Sequence, residues 1–219
     1  VENKMGFNLP KNTIKVIYQG VIQRGRGIKQ LIELTHYSQN ISSVILGSGP
    51  EKKRYIKLTK KLNLEEKIIF IDCVDYLDVF KYTQGADIGW CMIKTKGESN
   101  QNALPNKLFE YVMMGLPVIS SNLPNIKKII DCHHIGKIIN DDSLKTIEKE
   151  IVDLMKNKKN PKHYNNIIKQ YFSFELQGFK FVEIIDDGDY GWGNNLTHRD
   201  WLNLDDKYSP PKEKRGPTI

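Results

Sequence analysis

The chain has 219 residues, 39% hydrophobic and 27% charged, and no apolar run near the ~20 residues of a membrane-spanning helix. This balance excludes collagen, coiled coil, wholesale disorder and an integral membrane bundle, and points to one soluble globular domain with an appendage. Lysine and arginine number 33 against 26 acids, a net charge of +7, and the stretch from Asp186 carries seven acids against five bases, so the positive excess lies in the body. A basic body prefers an anionic partner, which charge alone leaves as nucleic acid, acidic lipid or a phosphorylated small molecule.

Cys73, Cys91 and Cys132 form no pair at metal-ligand or redox spacing. An odd count without a dense framework argues for a reducing, cytoplasmic compartment, with the cysteines as small buried hydrophobes. The chain opens Val-Glu-Asn-Lys, without initiator Met, signal segment or lipidation motif. It reads as a piece of something longer, residues 1–13 being a linker from a missing amino-terminal domain.

From Ile14 to Ile185 short β-branched runs alternate with segments of helical period, and no internal repeat is visible. The runs are Ile14 to Gln19, Ser43 to Leu46, Ile68 to Ile71, Ile88 to Cys91, Pro117 to Ser120 and Ile135 to Ile138. Each is almost continuously apolar, as strands of a parallel sheet covered on both faces must be. Helical segments include Gly27 to Tyr37, Glu51 to Leu62, Asn106 to Met114 and Ser143 to Met155. Pro105 and Asn106 stand at a helix start, Gly115 and Pro117 at its end, and Asp142 and Ser143 are candidate caps. The fold class is therefore α/β, a doubly wound parallel sheet over residues 14–185. From Asp186 the period stops, and residues 186–219, with Tyr190, Trp192, Trp201 and Tyr208, read as an irregular tail, aromatic and then disordered.

In an open parallel sheet the ligand lies beyond the carboxyl ends of the strands, so the loops after the runs carry the chemistry. The first, Gly20 to Gly27, places three glycines beside Arg24 and Arg26, which suits close approach of backbone amides and cationic forks to phosphate. A flexible, incidentally basic turn is the alternative. The second, Gly47 to Pro50, is a strand-to-helix turn that also suits a base pocket. The third, Asn102 to Tyr111, brings free amides at a helix start, Lys107, and Glu110 one turn on in an otherwise apolar segment. A carboxylate there needs hydrogen-bond partners, and the vicinal hydroxyls of a ribose would supply them, a salt bridge to Lys107 or Arg26 being the alternative.

These blocks, in order Gly20 with Arg26-Gly27, Gly47 to Pro50, Phe70 to Val74, Ala86 to Ile88, Pro105 to Tyr111 with Gly115 to Ile119, and Phe172 to Glu175, resemble the retaining glycosyltransferases of the GT-B fold. The similarity is to the carboxy-terminal, donor-binding half of glycosyltransferase family 4. It implies a Rossmann-like half of a GT-B fold and a nucleotide diphosphate sugar as donor substrate, with no cofactor and no metal required. The implied diphosphate site is Gly20, Arg24, Arg26, Leu104, Pro105, Asn106 and Lys107, with Glu110 on the ribose and Val74 and Gly47 at the base. Two positions depart from the family pattern: Asn102 stands where many members carry a sugar-binding glutamate, and Val21 where many carry an arginine. The donor sugar contact therefore falls to Asn102.

The resemblance implies a glycosyltransferase, inactive as this isolated domain, that meets a glycan or lipid-linked acceptor through a missing amino-terminal domain or partner chain. Lys57, Lys60 and Lys61 would draw it to the inner face of an anionic membrane. Two alternatives stay open, a non-catalytic nucleotide-sugar-binding or scaffold subunit and a nucleotide-sugar epimerase-like enzyme needing an acid/base pair near Glu98 and Asn102. No catalytic base or nucleophile stands out; His36, His133, His134 and His163 fit helix faces and ends. Specific nucleic-acid binding is not expected, since no recognition motif accompanies the charge.

Overall fold

The apolar runs pair side by side as six parallel strands in the computed structural model, which describes residues 6–94 and 104–168. They are β1 (Ile14–Gln19), β2 (Ile41–Leu46), β3 (Ile68–Ile71), β4 (Ile88–Cys91), β5 (Val118–Ser121) and β6 (Gly136–Ile139). The spatial order is β3-β2-β1-β4-β5-β6, so the chain winds outward from β1, returns, and winds outward again from β4. This is the doubly wound architecture expected from the sequence. The strand order reverses between β1 and β4, where Val16 pairs with Ile88 and Ile17 with Gly89.

The helices are α1 (Ile28–Tyr37), α2 (Lys52–Lys61), α3 (Tyr76–Gly85), α4 (Asn106–Met113), α5 (Pro124–His133), α6 (Leu144–Lys156) and α7 (Pro161–Ile167). Alternate strand residues feed two cores. Val16, Tyr18, Ile41, Ile45, Ile88, Trp90 and Ile119 face α1, α2 and α6. On the other face Ile17, Val44, Cys91 and Val118 meet Leu108, Tyr111 and Val112 of α4, Ile126 and Ile130 of α5 and Tyr164 of α7. Both faces are covered, which is why the strands read as largely apolar runs with few polar interruptions.

Local punctuation behaves as its chemistry dictates. Pro105 precedes α4 with extended backbone, and Gly115, at φ 74°, closes it with its N–H on the Val112 carbonyl. At α6 the cap is Ser143, whose Oγ accepts from Thr146 N, whereas Asp142 faces Gln30 and Asp141 supports Ser143 and Thr146. The cysteine expectation needs correcting: Cys91 is buried in the sheet, but Cys73, in the loop after β3, and Cys132, in the last turn of α5, are exposed. The tail 186–219, the Phe172 to Glu175 block, Glu98 and Asn102 lie outside the described residues.

Candidate functional site

The loop after β1 is fastened on both flanks. Towards β2, Ile22 N–H donates to the Ser48 carbonyl at 2.8 Å and Glu51 N–H to the Ile22 carbonyl at 3.1 Å; towards β4, Lys94 N–H donates to the Gly25 carbonyl at 2.8 Å. Trp90 Nε1 reaches the Gly27 carbonyl at 3.2 Å, the same oxygen that accepts the first helical bond of α1 from Leu31. A basic turn held this way is a fixed surface, not a flexible one. Gly47 adds a close approach: a Cβ there would stand 2.1 Å from the Gly20 carbonyl oxygen, and its φ is +133°. Gly47 thus lets the loops after β1 and β2 touch backbone to backbone.

Lys107, in the first turn of α4, reaches across to this loop. Its Nζ lies 4.0 Å from the centroid of the Tyr18 ring and 3.7 Å from where a side chain on Gly20 would begin. Burial, followed by the like charge of Arg26, pulls this ammonium down to about 8, while Glu110 and Cys91 act the other way. Arg26 is half-buried, and Gln23, once its amide is assigned with the oxygen towards the guanidinium, accepts from Arg26 Nε at 3.1 Å and Nη2 at 3.2 Å. Arg26 also acts electrostatically on Tyr18 and on Cys91, whose thiol burial pushes up to about 11. Two cations therefore share the mouth of the β1/β4 crevice, and that is a local charge excess suited to an anion.

One turn further along α4 is Glu110, half-buried, with its carboxyl pushed up by burial and pulled back by Gln19 and Lys107. Its hydrogen-bond partner is Gln19, whose Nε2 donates to Oε2 at 2.5 Å. Neither Lys107 nor Arg26 forms an ion pair with it among the described residues. Gln19 Oε1 accepts in turn from Thr83 Oγ1 at 2.7 Å. Beneath them the Tyr111 hydroxyl accepts from Gln19 N at 3.1 Å and donates towards the Ile17 and Trp90 carbonyls. Gly89 leaves the space this ring fills, since a Cβ there would be 2.3 Å from it.

The other residues singled out from the sequence sit as follows. Leu104 packs on the core beneath the sheet, Pro105 precedes α4 and Asn106 is exposed at its start. Val74 is half-buried between β3 and α3, two residues before Tyr76, whose hydroxyl burial and then Glu110 push upward. The segments after β3 and β4 therefore face one place. Arg24 is turned away: its Nε holds Glu51 Oε1 at 3.0 Å. Gln19, Thr83, Tyr18 and Tyr111 were not singled out from the sequence; the one signal was a polar residue ending an apolar strand directly before Gly20. A separate hollow lined by Ile130, His134, Lys137, Leu154 and Tyr164 lies at the amino end of β6, away from these loops. No cluster able to hold a metal ion occurs among the described residues, and no described helix is long and apolar enough to cross a membrane.

Comparison with known proteins agrees with this architecture. Residues 2–171 match the family described as glycosyl transferases group 1. An O-antigen biosynthesis glycosyltransferase, WclY of Escherichia coli, is 26% identical over 125 residues, 57% of this chain and 33% of its own length. The chain thus spans about a third of that relative. Among solved structures, WaaG, a glycosyltransferase involved in lipopolysaccharide biosynthesis, superposes with a TM-score of 0.61 at 16% identity over 84% of this chain and 49% of its own. The C-terminal domain of the group 1 glycosyl transferase LpcC from Francisella tularensis gives 0.59 at 19% identity, over 75% of this chain and 88% of that domain. With the family match covering most of its length and the fold shared with these GT-B proteins, the chain belongs to the glycosyl transferases group 1 family.

Proposed function

We propose that this domain binds the nucleotide diphosphate of a sugar donor for a retaining glycosyltransferase acting on a glycan or lipid-linked acceptor. The observation that carries the reading is the meeting of the Arg26 and Lys107 cations and the Glu110 carboxylate where the strand order reverses. The cations would neutralise the diphosphate as it leaves, aided by amides of Leu104, Asn106 and Lys107; the Gly20 N–H is engaged by the Leu46 carbonyl at 3.0 Å, so Gly20 offers close approach and not a donor. Glu110 would accept from the ribose hydroxyls, with Val74 and Gly47 towards the base. Asn102 keeps the donor-sugar role proposed from the sequence. In this scheme the protein's own cations serve as counter-charge to the diphosphate, and the acceptor is presented by a second domain or subunit. Lys57, Lys60 and Lys61 all stand exposed on α2, which supports contact with an anionic membrane face.

The test is calorimetry and thermal shift with uridine, guanosine and adenosine diphosphates and their sugar conjugates. A ligand at a hundred times its dissociation constant adds about 2.7 kcal/mol of stability. One diphosphate should stabilise the chain selectively, and Arg26→Ala and Glu110→Gln should each weaken it about tenfold. Wild-type affinity in both variants overturns the reading. Turnover of a nucleotide sugar without acceptor would favour an epimerase-like enzyme instead.

A further inference from the structure

Gln19 ends β1 with 2% of its surface exposed, and both ends of its amide are used. Thr83 Oγ1, itself fully buried, lies 2.7 Å from Gln19 Oε1, and Gln19 Nε2 lies 2.5 Å from Glu110 Oε2. Thr83 Oγ1 also lies 2.8 Å from the Val79 carbonyl of α3, a second acceptor for its one proton, and the Gln19 backbone N–H donates to the Tyr111 hydroxyl. A carboxamide has two orientations related by a flip, and an ionised Glu110 permits only one of them. The opposite orientation would set the amide oxygen against the carboxylate, leaving two acceptors face to face. The amide N–H therefore points at Glu110, and the Thr83 hydroxyl shares its one proton between Gln19 Oε1 and the Val79 carbonyl.

We propose that Gln19 and Thr83 are a positioning pair that makes Glu110 selective for ribose over 2′-deoxyribose. They pin Oε2, so that Oε1 is presented to the vicinal hydroxyls of a ribonucleoside diphosphate with both lone pairs available. This rests on the donor-nucleotide reading above and adds the residues that set its sugar specificity. A carboxylate without the pair would be free to rotate about its last bond and to take up a proton, and either change spoils acceptance of two hydroxyls at once. The pair touches no ligand itself; it acts through Glu110. Three elements contribute to it, β1, α3 and α4, which places the relay under the site instead of on its surface.

The experiment is titration of the 219-residue chain with UDP, GDP and ADP and with their 2′-deoxy counterparts. The quantity read is the ratio of the two affinities for the preferred base, because a general loss of structure lowers both affinities and leaves the ratio. Wild type should prefer the ribonucleotide about tenfold, the size expected for hydrogen bonds to a charged group. Gln19→Met, which keeps length and removes the amide, and Thr83→Val should bring the ratio close to one. Thr83→Ser, which keeps the hydroxyl, should restore it. Where Gln19→Met fails to fold, Thr83→Val against Thr83→Ser decides.

Retention of the ratio in Gln19→Met and Thr83→Val, with its loss in Glu110→Gln, overturns this inference and leaves the donor reading standing. A ratio near one in wild type, wild-type behaviour of Glu110→Gln, or no binding by any of the diphosphates removes Glu110 as the ribose ligand. This inference falls in each case, and the donor reading falls with it where none of the diphosphates binds or where Arg26→Ala also keeps wild-type affinity.

Discussion

The Lys107 ammonium rests on the face of the Tyr18 ring, 4.0 Å from its centroid, and Tyr18 is held there by donating its hydroxyl to the Val21 carbonyl at 2.5 Å. The strand that ends the first core thus supplies the seat for a cation on the opposite side of the crevice. Such a seat offers less solvation than water, which is why burial and Arg26 hold this lysine at about 8 when the site is empty.

A pH dependence of known sign follows. Between about 8 and the ordinary lysine value of 10.5 the unfolded chain binds a proton that the folded chain has released, so stability of the empty protein rises with pH through that window. Below it, Lys107 is charged in both states and the cost of burying the charge is fully present. A bound diphosphate favours the ammonium, so its affinity should fall as pH rises past about 8, approaching tenfold per pH unit. In Lys107→Met both slopes should disappear. Calorimetry at pH 7, 8 and 9 in two buffers of different ionisation enthalpy checks this, and proton uptake on binding that is unchanged in the variant would refute it.

Glu110 opposes stability to function. Its folded carboxyl sits above the usual value of 4.5 because burial disfavours its charge. The neutral form is therefore the better one for the fold, an advantage complete below 4.5 and lost as pH rises through the raised value. Glu110→Gln removes the charge and keeps the shape, so the empty variant should melt above wild type at pH 7. The difference should shrink as pH approaches 4.5. The same variant should bind diphosphate about tenfold more weakly. A lower melting point at pH 7 would mean that Glu110 is held mainly for structure.

How much of this was legible in the sequence depends on how local each signal is. Six short runs rich in isoleucine and valine announce a largely covered sheet, and their order with the intervening helices leaves little besides a doubly wound arrangement. Pro105, Gly115, Lys107 and Glu110 all speak through their immediate neighbours. The α3 helix does not: of its residues only Thr83 is buried, so it shows no strong apolar stripe. Gln19 and Thr83 are 64 residues apart, and Arg24 and Glu51 are 27 apart. Pairings of that range are made by the crossovers of the fold, and nothing in the local pattern of either partner marks them. The exposure of Cys73 and Cys132 ran against the general tendency of a free thiol to be buried, and no neighbouring residue marked them as exceptions.

The contact of the first two loops makes a steep prediction about Gly47. An alanine there would place Cβ 2.1 Å from a backbone oxygen that cannot swing aside, in a conformation of φ +133° that side chains rarely adopt. Gly47→Ala should cost about 3 kcal/mol or more in urea unfolding. Gly115→Ala is the control. Its φ is +74° with open space around the missing side chain, so only the backbone term of about 1–2 kcal/mol applies. Equal costs would show that the close approach to Gly20 contributes nothing.

The two arginines of the first loop should behave differently although they are two residues apart. Arg24 is 77% exposed and spends its guanidinium on Glu51, which also holds Arg54 at 3.0 Å. An ion pair of this kind is screened by water, so Arg24→Ala should leave stability nearly unchanged. Its loss should also weaken diphosphate binding by less than about threefold, because the free site does not contain its charge. Arg26 is half-buried, faces the seat of Lys107 and, among the described residues, has the neutral Gln23 as hydrogen-bond partner, so a phosphate there meets a cation that no described carboxylate pairs. Arg26→Ala should cost about tenfold in affinity. It should also raise the value of Lys107, since the like charge holding it down is gone, and shift the alkaline loss of binding to higher pH. Equal losses in the two alanine variants would mean that Arg24 leaves Glu51 when the ligand arrives, and Glu51→Gln would then bind diphosphate more tightly than wild type.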